Sequence, residues 1–542
     1  MSGAWFLPAS LYAYASSKVR RLAAWLAASA SDPAAGLSLV IGFAAVHAVL
    51  WTLILINLKA AQDVHMDVAE AYAWGQKFLL GYGKHPPLSG WVAGVWFMMF
   101  PVVNWATYAL AMATLGCGLV ICWLIALRVV DRRRAFFVVV MLALYPIFNF
   151  KGFKYNPDLL QLVTLPLLVL AYLHAFEKRT ARAGLWLGLA GALALMTKYW
   201  VLTMIGAIGI AALVHPERLR FLRSPAPWVA IVTLVVAMLP HLWWLKQVDF
   251  APLTYAGDTY ELQSRVQCLQ LVLGYIAHNL ALLAVPAALA ALALAWLPRW
   301  WTTLARHPSE LFTRAWSPGP NPGVNISQAL NIWIIQIVVA IGPPLGGLIF
   351  IVYMKTDWGI SLFFLTPLAL VAIPSLRLQK IALFRIVAIW LVLTLAVLAA
   401  SRTIAAREFA GNPNSASGYA ARSELARELT EAWHQRFNSR WAVVAGNTDI
   451  GEPMTFYSPD HPAPFTPGEL WASGLTSLEE ARQLGFIGIC DTSDGRLPAC
   501  EAWMAANAKQ AEPLVITTQR FSLGHSGPAS SWKIYIVPPA HI

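Results

Sequence analysis

Long apolar segments recur between residues 37 and 400 of this chain, and they restrict its fold more than any other feature. Most are close to the ~20 residues that a helix needs to cross a bilayer, although several are shorter. Only 12% of the side chains are charged and 58% are hydrophobic, which excludes an ordinary soluble globule. The pattern predicts an α-helical polytopic membrane protein with about eleven transmembrane helices, at residues 37–58, 106–128, 135–150, 158–176, 184–197, 199–214, 227–245, 269–297, 330–352, 358–375 and 381–400.

The basic residues mark one side of the membrane. The net charge is +12, and Lys and Arg gather in short connections that alternate with less basic ones. Under the positive-inside rule these connections face the cytoplasm, and the odd number of spans places residues 401–542 outside. Residues 1–36 are expected to form a cytoplasmic amphipathic N-terminus. Because the charge follows membrane topology, we predict the lipid bilayer as a partner and no nucleic acid.

The C-terminal region differs in composition from the spans. Residues 419–437 have helical periodicity, and residues 440–446, 486–490 and 532–537 are β-like runs. About 120 residues suffice for an independent core, so we predict that residues 401–542 contain an extracytoplasmic α/β domain. Cys490 and Cys500 flank a turn-rich loop, which favours a disulfide if the domain lies outside the cytoplasm; two free thiols are the alternative.

Acidic residues cluster in the first loop on the outer side. If residues 63–78 are helical, Asp63, Asp67, Glu70 and Trp74 lie on one stripe of the helix. Three carboxylates this close repel one another unless a cation, a proton or a phosphate-bound metal is involved. A solvated helix face between two spans is the alternative interpretation.

Lysines also occur on the outer side, against the positive-inside bias. Lys84, Lys151, Lys154 and Lys355 suit a phosphate-bearing lipid whose head group is held and whose leaving phosphate is neutralised. The alternative is that they extend towards lipid phosphates without a specific role. Carboxylates beside such cations suit general-base activation of an acceptor hydroxyl. Together these residues predict group transfer from a phospholipid-like carrier at the outer face.

Several stretches in combination resemble the GT-C glycosyltransferases, a family that includes protein O-mannosyltransferases, aminoarabinose transferases and lipopolysaccharide or lipid A galacturonosyltransferases. The resemblance covers roughly residues 37–400 and implies that this segment is the transmembrane GT-C module. The first-loop stretch from Gly81 to Leu88 is most similar to the galacturonosyl-type members. The resembling stretches are Asp67 to Gln76, Gly81 to Leu88, Tyr155 to Leu160, Gly188 to Tyr199 and Leu239 to Trp244.

The resemblance implies a polyprenyl-phosphate sugar donor and a set of site residues. Asp67 matches the family's first-loop aspartate and Asp158 its second-loop acidic position; Glu70 is the third candidate catalytic residue. Many relatives have adjacent Asp-Glu, whereas Val68 follows Asp67 here, so a divalent metal is left open and no other cofactor is assigned. Lys198 is left outside the site. The candidate substrate-binding residues, from the resemblance and the lysines above, are Lys84, His85, Tyr82, Lys151, Lys154, Asn156, Lys355, Trp358 and His241.

The predicted function is that of a glycosyltransferase in a bacterial inner membrane. It would move a sugar from a polyprenyl-phosphate donor to an extracytoplasmic acceptor, namely lipid A, lipopolysaccharide core or another cell-envelope glycolipid or glycan. A protein O-glycosyltransferase is one alternative. A transporter or flippase for lipid-linked sugars is another, although the chain shows no matching halves and its polar clusters lie at one face. The lead hypothesis requires Asp67 and Asp158 to line one outward cavity with Lys84 near its entrance.

Overall fold

A bundle of apolar helices forms the N-terminal part of the computed structural model, which describes residues 9–259, 262, 264–295, 323–411, 416–469, 474–509 and 511–540. The first eight residues of the predicted N-terminal segment and the last two of the predicted span 269–297 lie outside these ranges. The helices up to residue 411 are α1 (Ala9–Ser31), α2 (Pro33–Leu58), α3 (Met66–Gly75), α4 (Leu88–Met99), α5 (Asn104–Val129), α6 (Arg132–Ala143), α7 (Pro157–Lys178), α8 (Ala181–Leu195), α9 (Leu202–Val214), α10 (Arg218–Leu222), α11 (Pro225–Gln247), α12 (Ala251–Thr259), α13 (Arg265–Ala295), α14 (Ile326–Phe350), α15 (Thr366–Val371) and α16 (Lys380–Gly411).

Seven of these described helices are long and apolar enough to cross a membrane: α2, α5, α7, α11, α13, α14 and α16. Helix α6 and the 3₁₀ turns that follow it, up to Phe153, form an eighth candidate that is bent by 77°. The predicted spans 184–197, 199–214 and 358–375 fall on shorter apolar helical segments. The polytopic helical architecture is therefore confirmed, whereas the count of eleven spans stays a prediction.

Small residues allow α8 and α11 to pack closely. A Cβ atom at Gly184 would overlap the carbonyl oxygen of Ala226, and one at Gly188 would overlap that of Ala230. Small residues four apart on facing helices let the two backbones approach, which is a common way for apolar helices to associate in lipid. This contact holds α8 in place, and the chain that leaves the C-terminal end of α8 carries Lys198 and Tyr199.

The C-terminal region combines a five-stranded sheet with helices. The strands lie in the order β2-β1-β3-β5-β4, with β1 parallel to β2 and β3, and with β5 antiparallel to β3 and β4. A disulfide joins Cys490 to Cys500. The elements are α17 (Ala416–Tyr419), α18 (Arg422–Arg436), β1 (Val443–Ala445), α19 (Thr448–Tyr457), β2 (Ala463–Phe465), α20 (Leu478–Leu484), β3 (Phe486–Asp491), α21 (Leu497–Asn507), β4 (Leu514–Ser522) and β5 (His525–Val537).

Buried ion pairs connect this C-terminal region to the segment that leads into α3. The carboxylate of Asp63, which is fully buried, lies 2.7 Å from the Arg520 guanidinium and 3.8 Å from that of Arg422. Arg520 also donates a hydrogen bond to the carbonyl oxygen of Ala61 at 3.1 Å. Charges removed from water are tolerated only when they are paired in this way. The network therefore holds Arg422 and Arg520 of the C-terminal region against the segment that leads into α3.

Candidate active site

Helix α3 begins at Met66, so the predicted helix from residue 63 is wrong at its start. The ring of His65 accepts a hydrogen bond from the backbone N–H of Asp67 at 3.2 Å and thereby caps the helix. Asp63 precedes the cap and faces the C-terminal domain. Asp67 and Glu70, three residues apart, remain close on α3.

Each first-loop carboxylate has its own cation. Asp63 pairs with Arg520, Asp67 pairs with Lys154 at 3.1 Å, and Glu70 pairs with Lys84 at 2.5 Å. In the described part of the chain, no group of three or more His, Cys, Asp or Glu is placed to hold a metal ion. These residues do not fit a divalent metal, because lysine and arginine side chains already neutralise the carboxylates.

Asp67 and Asp158 line one cavity of about 360 Å³ at the ends of α3 and α7. This volume lies within the range of roughly 300–1,000 Å³ that is usual for ligand sites. Eight of the predicted site residues border it together with nine residues that the sequence analysis did not name as site residues. The predicted ones are Asp67, Glu70, Lys84, His85, Asn156, Asp158, Lys355 and Trp358, and the additional ones are Met66, Trp74, Pro157, Lys198, Tyr199, Trp200, Pro252, Leu253 and Tyr255.

Asn156 connects the two aspartates. Its side-chain oxygen accepts a hydrogen bond from the backbone N–H of Leu159 at 2.9 Å and caps α7, which carries Asp158 in its first turn. Its side-chain nitrogen donates to the Asp67 carboxylate, also at 2.9 Å. One amide thus orients Asp67 towards the start of α7.

Asp67 remains ionised at neutral pH. Burial alone would raise the pKa of this carboxyl, but Lys154, His65 and the amide of Asn156 outweigh burial and hold the pKa well below its usual range. About 28% of the side chain is exposed, so the carboxylate is accessible from the cavity. The charge suits a group that orients a hydroxyl or stabilises positive charge.

Asp158 binds Lys198, a residue that the sequence analysis excluded from the site. The ammonium nitrogen lies 2.7 Å from the carboxylate and 5.4 Å from the centre of the Trp358 ring. The Lys198 side chain is only 9% exposed, and a cation this buried needs such partners. Its position in the stretch from Gly188 to Tyr199, which resembles the family, was the signal that could have identified it.

Glu70 and Lys84 form the deepest ion pair of the cavity wall. Burial raises the pKa of Glu70 to about 7, although Lys84 opposes the shift. Burial would lower the pKa of Lys84, but Glu70 and Glu452 of the C-terminal domain raise it above its ordinary value. His85 stays neutral, since burial and the nearby Lys198 and Lys84 keep its pKa well below the usual value.

Four predicted substrate-binding residues do not line the cavity. Tyr82 stacks on Trp74 and donates a hydrogen bond to the Trp74 carbonyl oxygen, and Lys154 contacts Asp67. Lys151 pairs with Asp357 at 3.6 Å. His241 hydrogen bonds to the Leu80 carbonyl and, at 3.0 Å, to the Tyr199 hydroxyl. These residues support neighbouring groups, and direct binding by them stays a prediction.

A second cavity of about 530 Å³ adjoins the first and lies against the C-terminal domain. The two cavities share Met66, Lys84 and Tyr255. Charged side chains of both signs line it in equal number, and Tyr108, Phe153 and Tyr419 add aromatic surfaces. The charged residues are Asp63, Glu408, Asp449, Glu469, Lys59, Lys84, Arg422 and Arg496.

Known proteins resemble this chain in sequence and fold. The family model of dolichyl-phosphate-mannose-protein mannosyltransferases matches residues 84–244. The lipid A galacturonosyltransferase RgtD of Rhizobium johnstonii is 26% identical over 239 residues, which are 42% of this chain and 46% of that protein. The chain thus aligns with less than half of that relative. The crystal structure of ArnT from Cupriavidus metallidurans bound to undecaprenyl phosphate has a TM-score of 0.56 and 12% identity, covering 94% of this chain and 99% of that one.

The fold and the cavity define a polytopic helical membrane protein with a charged site beneath a C-terminal α/β region. Its helices follow the arrangement seen in ArnT. The chain therefore has the overall fold of ArnT, and over part of its length it resembles the mannosyltransferase and galacturonosyltransferase sequences of the GT-C type.

Proposed function

We propose that this protein is a membrane glycosyltransferase that moves a sugar from a polyprenyl-phosphate donor to a hydroxyl of lipid A or another cell-envelope glycolipid. One observation carries the proposal: Asp67 and Asp158 meet Lys84, Lys198 and Lys355 in a single cavity. The relative RgtD is described as a lipid A galacturonosyltransferase. The similar ArnT structure has undecaprenyl phosphate bound. Both support this choice of acceptor and donor.

The charges of the cavity suit departure of a phosphate. In the transfer, the acceptor oxygen forms a bond to the anomeric carbon of the sugar, while the bond from that carbon to the phosphate oxygen breaks and leaves its electron pair on the phosphate. Lys84, Lys198 and Lys355 would neutralise this charge. Asp67, being ionised, would orient the acceptor hydroxyl and stabilise positive charge at the anomeric carbon.

Glu70 is a better candidate than Asp67 for the general base that accepts the proton of the acceptor hydroxyl. A general base works best when its pKa is near the operating pH. Since the pKa of Glu70 is raised to about 7, the base is protonated below this pH and ionised above it. We therefore expect kcat/KM to fall as the pH drops below about 7. Glu70→Gln should remove this acidic limb and slow transfer by roughly 10²-fold or more. A pH–rate profile of both proteins measures this, and an acidic limb that persists in Glu70→Gln contradicts the assignment.

The second cavity suits the sugar portion of the acceptor. Its carboxylates and cations balance, so it favours a ligand whose hydroxyls both donate and accept hydrogen bonds over a highly charged one. Tyr108, Phe153 and Tyr419 offer surfaces for the apolar faces of sugar rings. The shared residues Met66, Lys84 and Tyr255 would bring such an acceptor next to Asp67.

The membrane topology proposed here has eleven spans, a cytoplasmic N-terminus and a periplasmic C-terminal domain in a bacterial inner membrane. The basic connections and the positive-inside rule support it. The disulfide between Cys490 and Cys500 also supports an oxidising compartment for the C-terminal domain.

An in vitro assay tests the function. Purified protein is incubated with lipid A and a panel of polyprenyl-phosphate sugars, and the products are identified by mass spectrometry. We expect the mass of one sugar to be added to lipid A with release of polyprenyl phosphate. Movement of labelled lipid between leaflets without any transferred sugar would favour a flippase instead.

A protein acceptor is the second candidate, because the matching family model describes protein mannosyltransferases. Mass spectrometry of lipid A, core glycan and exported proteins from a deletion strain separates the two acceptors. If exported proteins lose a sugar while lipid A and core glycan are unchanged, the protein is a protein O-glycosyltransferase instead.

A further inference from the structure

Helix α19 of the C-terminal domain packs against α3 and brings a buried carboxylate close to that helix. Phe456 of α19 contacts Tyr72 of α3, with ring centres 5.6 Å apart. Glu452 lies four residues before Phe456 and therefore on the same face of α19. Its side chain is buried, with 2% exposure. A glutamate from the C-terminal domain is thus enclosed beside the carboxylate-bearing helix of the membrane domain.

Glu452 and Glu70 each have an unsatisfied oxygen. Oε1 of Glu70 and Oε2 of Glu452 are buried and have no hydrogen-bond partner among the described residues. The buried carboxylates and the single ammonium group of Lys84 would leave one negative charge in excess. Burying an uncompensated charge is expensive, and a bound proton removes it while also supplying a hydrogen-bond donor.

We propose that Glu70, Lys84 and Glu452 form one unit that holds a single proton, so that the C-terminal domain sets the protonation state of Glu70. Glu452 is a positioning residue in this arrangement, since it does not line the cavity and acts through Glu70. Among the described residues, the other titratable groups that face the unit include His85 next to Lys84, Asp67 on α3, Glu469 of the C-terminal domain and Tyr255 on α12.

The electrostatics of the two glutamates agree with this geometry. Burial and then the charge of Glu70 raise the pKa of Glu452 well above its ordinary value, and Lys84 only partly opposes this. Burial also raises the pKa of Glu70, which lies 2.5 Å from Lys84. Two carboxylates that share a site titrate as a pair, and the acidic limb of transfer then belongs to the pair.

The first test is kinetic and uses the variant Glu452→Gln. It depends on the proposed transfer reaction, because it measures the rate of that reaction. Without the second carboxylate, Glu70 is neutralised by Lys84 alone and should ionise more easily. We expect the acidic limb of kcat/KM to move down by about one pH unit or more, with little change at high pH. Glu452→Asp should restore a limb near that of the wild type. Glu431→Gln, an exposed glutamate on α18, is the matched control and should leave the limb in place.

A measurement without activity keeps this proposal separate from the proposed function. Infrared difference spectra of the wild type at neutral pH should contain the carbonyl-stretch band of a protonated carboxyl group. Glu452→Gln and Glu70→Gln should each lose that band, and Glu431→Gln should keep it. The inference is overturned if the band persists in either Glu452→Gln or Glu70→Gln, or if active Glu452→Gln has an unshifted acidic limb. If the band behaves as expected but the protein transfers no sugar, the proposed glycosyltransferase function is refuted and the shared proton of Glu70 and Glu452 is still supported.

Discussion

Asp67→Asn is expected to yield a folded membrane protein that has lost most of its transfer activity. The amide has nearly the same shape as the carboxylate and can still hydrogen bond to Asn156, so little structural change should follow. It lacks the negative charge that Lys154 and His65 preserve in the cavity. Removing one such group usually slows an enzyme by about 10²–10⁴-fold. The effect should appear mainly in kcat, because the charge acts on the transition state.

The matched control is Glu177→Gln. Glu177 also forms an ion pair, 2.7 Å from Arg128, but it lies at the C-terminal end of α7 and is not part of the cavity lining. Detergent-purified variants are compared with the wild type for melting temperature, sugar transfer and elution volume. Wild-type turnover by Asp67→Asn would reject the role given to Asp67. Equal loss in Glu177→Gln would point to a general effect of charge removal.

Arg520→Ala is expected to be the most destabilising single change at the junction between the two domains. It leaves Asp63, whose side chain has no exposure, with Arg422 at 3.8 Å as its remaining cationic partner among the described residues. Breaking a buried pair by removing one partner costs about 3–5 kcal/mol, because the other charge stays buried without compensation. We expect a lower melting temperature, faster proteolysis between the domains and a loss of transfer.

Two further variants define this experiment. Arg427→Ala removes an exposed pair on α18 with Glu431 and should cost at most about 0.5 kcal/mol. In Asp63→Asn/Arg520→Ala the buried charge is absent, so part of the stability should return. A single Arg520→Ala variant that melts like Arg427→Ala would show that this network does not hold the domain in place.

The length of the apolar runs was sufficient to locate the candidate spans, since each predicted span falls, over its described residues, on an apolar helical segment. Three residues that line the first cavity, Asp67, Lys84 and Asp158, could be singled out because they lie in family-like stretches. Asp63 was misplaced on the α3 stripe because its partner Arg520 is 457 residues away, and no local pattern reports such a pair. Glu452 was missed for the same reason, since only tertiary packing brings α19 onto α3.

The sheet was only partly predictable. Strands β1, β3 and β5 overlap the β-like runs at residues 440–446, 486–490 and 532–537. Strand β2 is three residues long and contains Pro464, which is unfavourable within a sheet and indicates an edge. Strand β4 forms the opposite edge. It exposes Leu514, Val515 and Phe521 and buries Thr518 and Arg520, so its sequence does not show the usual alternation with apolar side chains inside.

The two hydrogen bonds of Asn156 limit what can replace it. Aspartate could cap α7 but would add a second anion beside Asp67. Serine could cap the helix with its single oxygen, yet it is too short to reach both partners, and glutamine is one methylene longer. Any change at this position would therefore disturb the Asp67 carboxylate and the first turn of α7 together, because one side chain holds both.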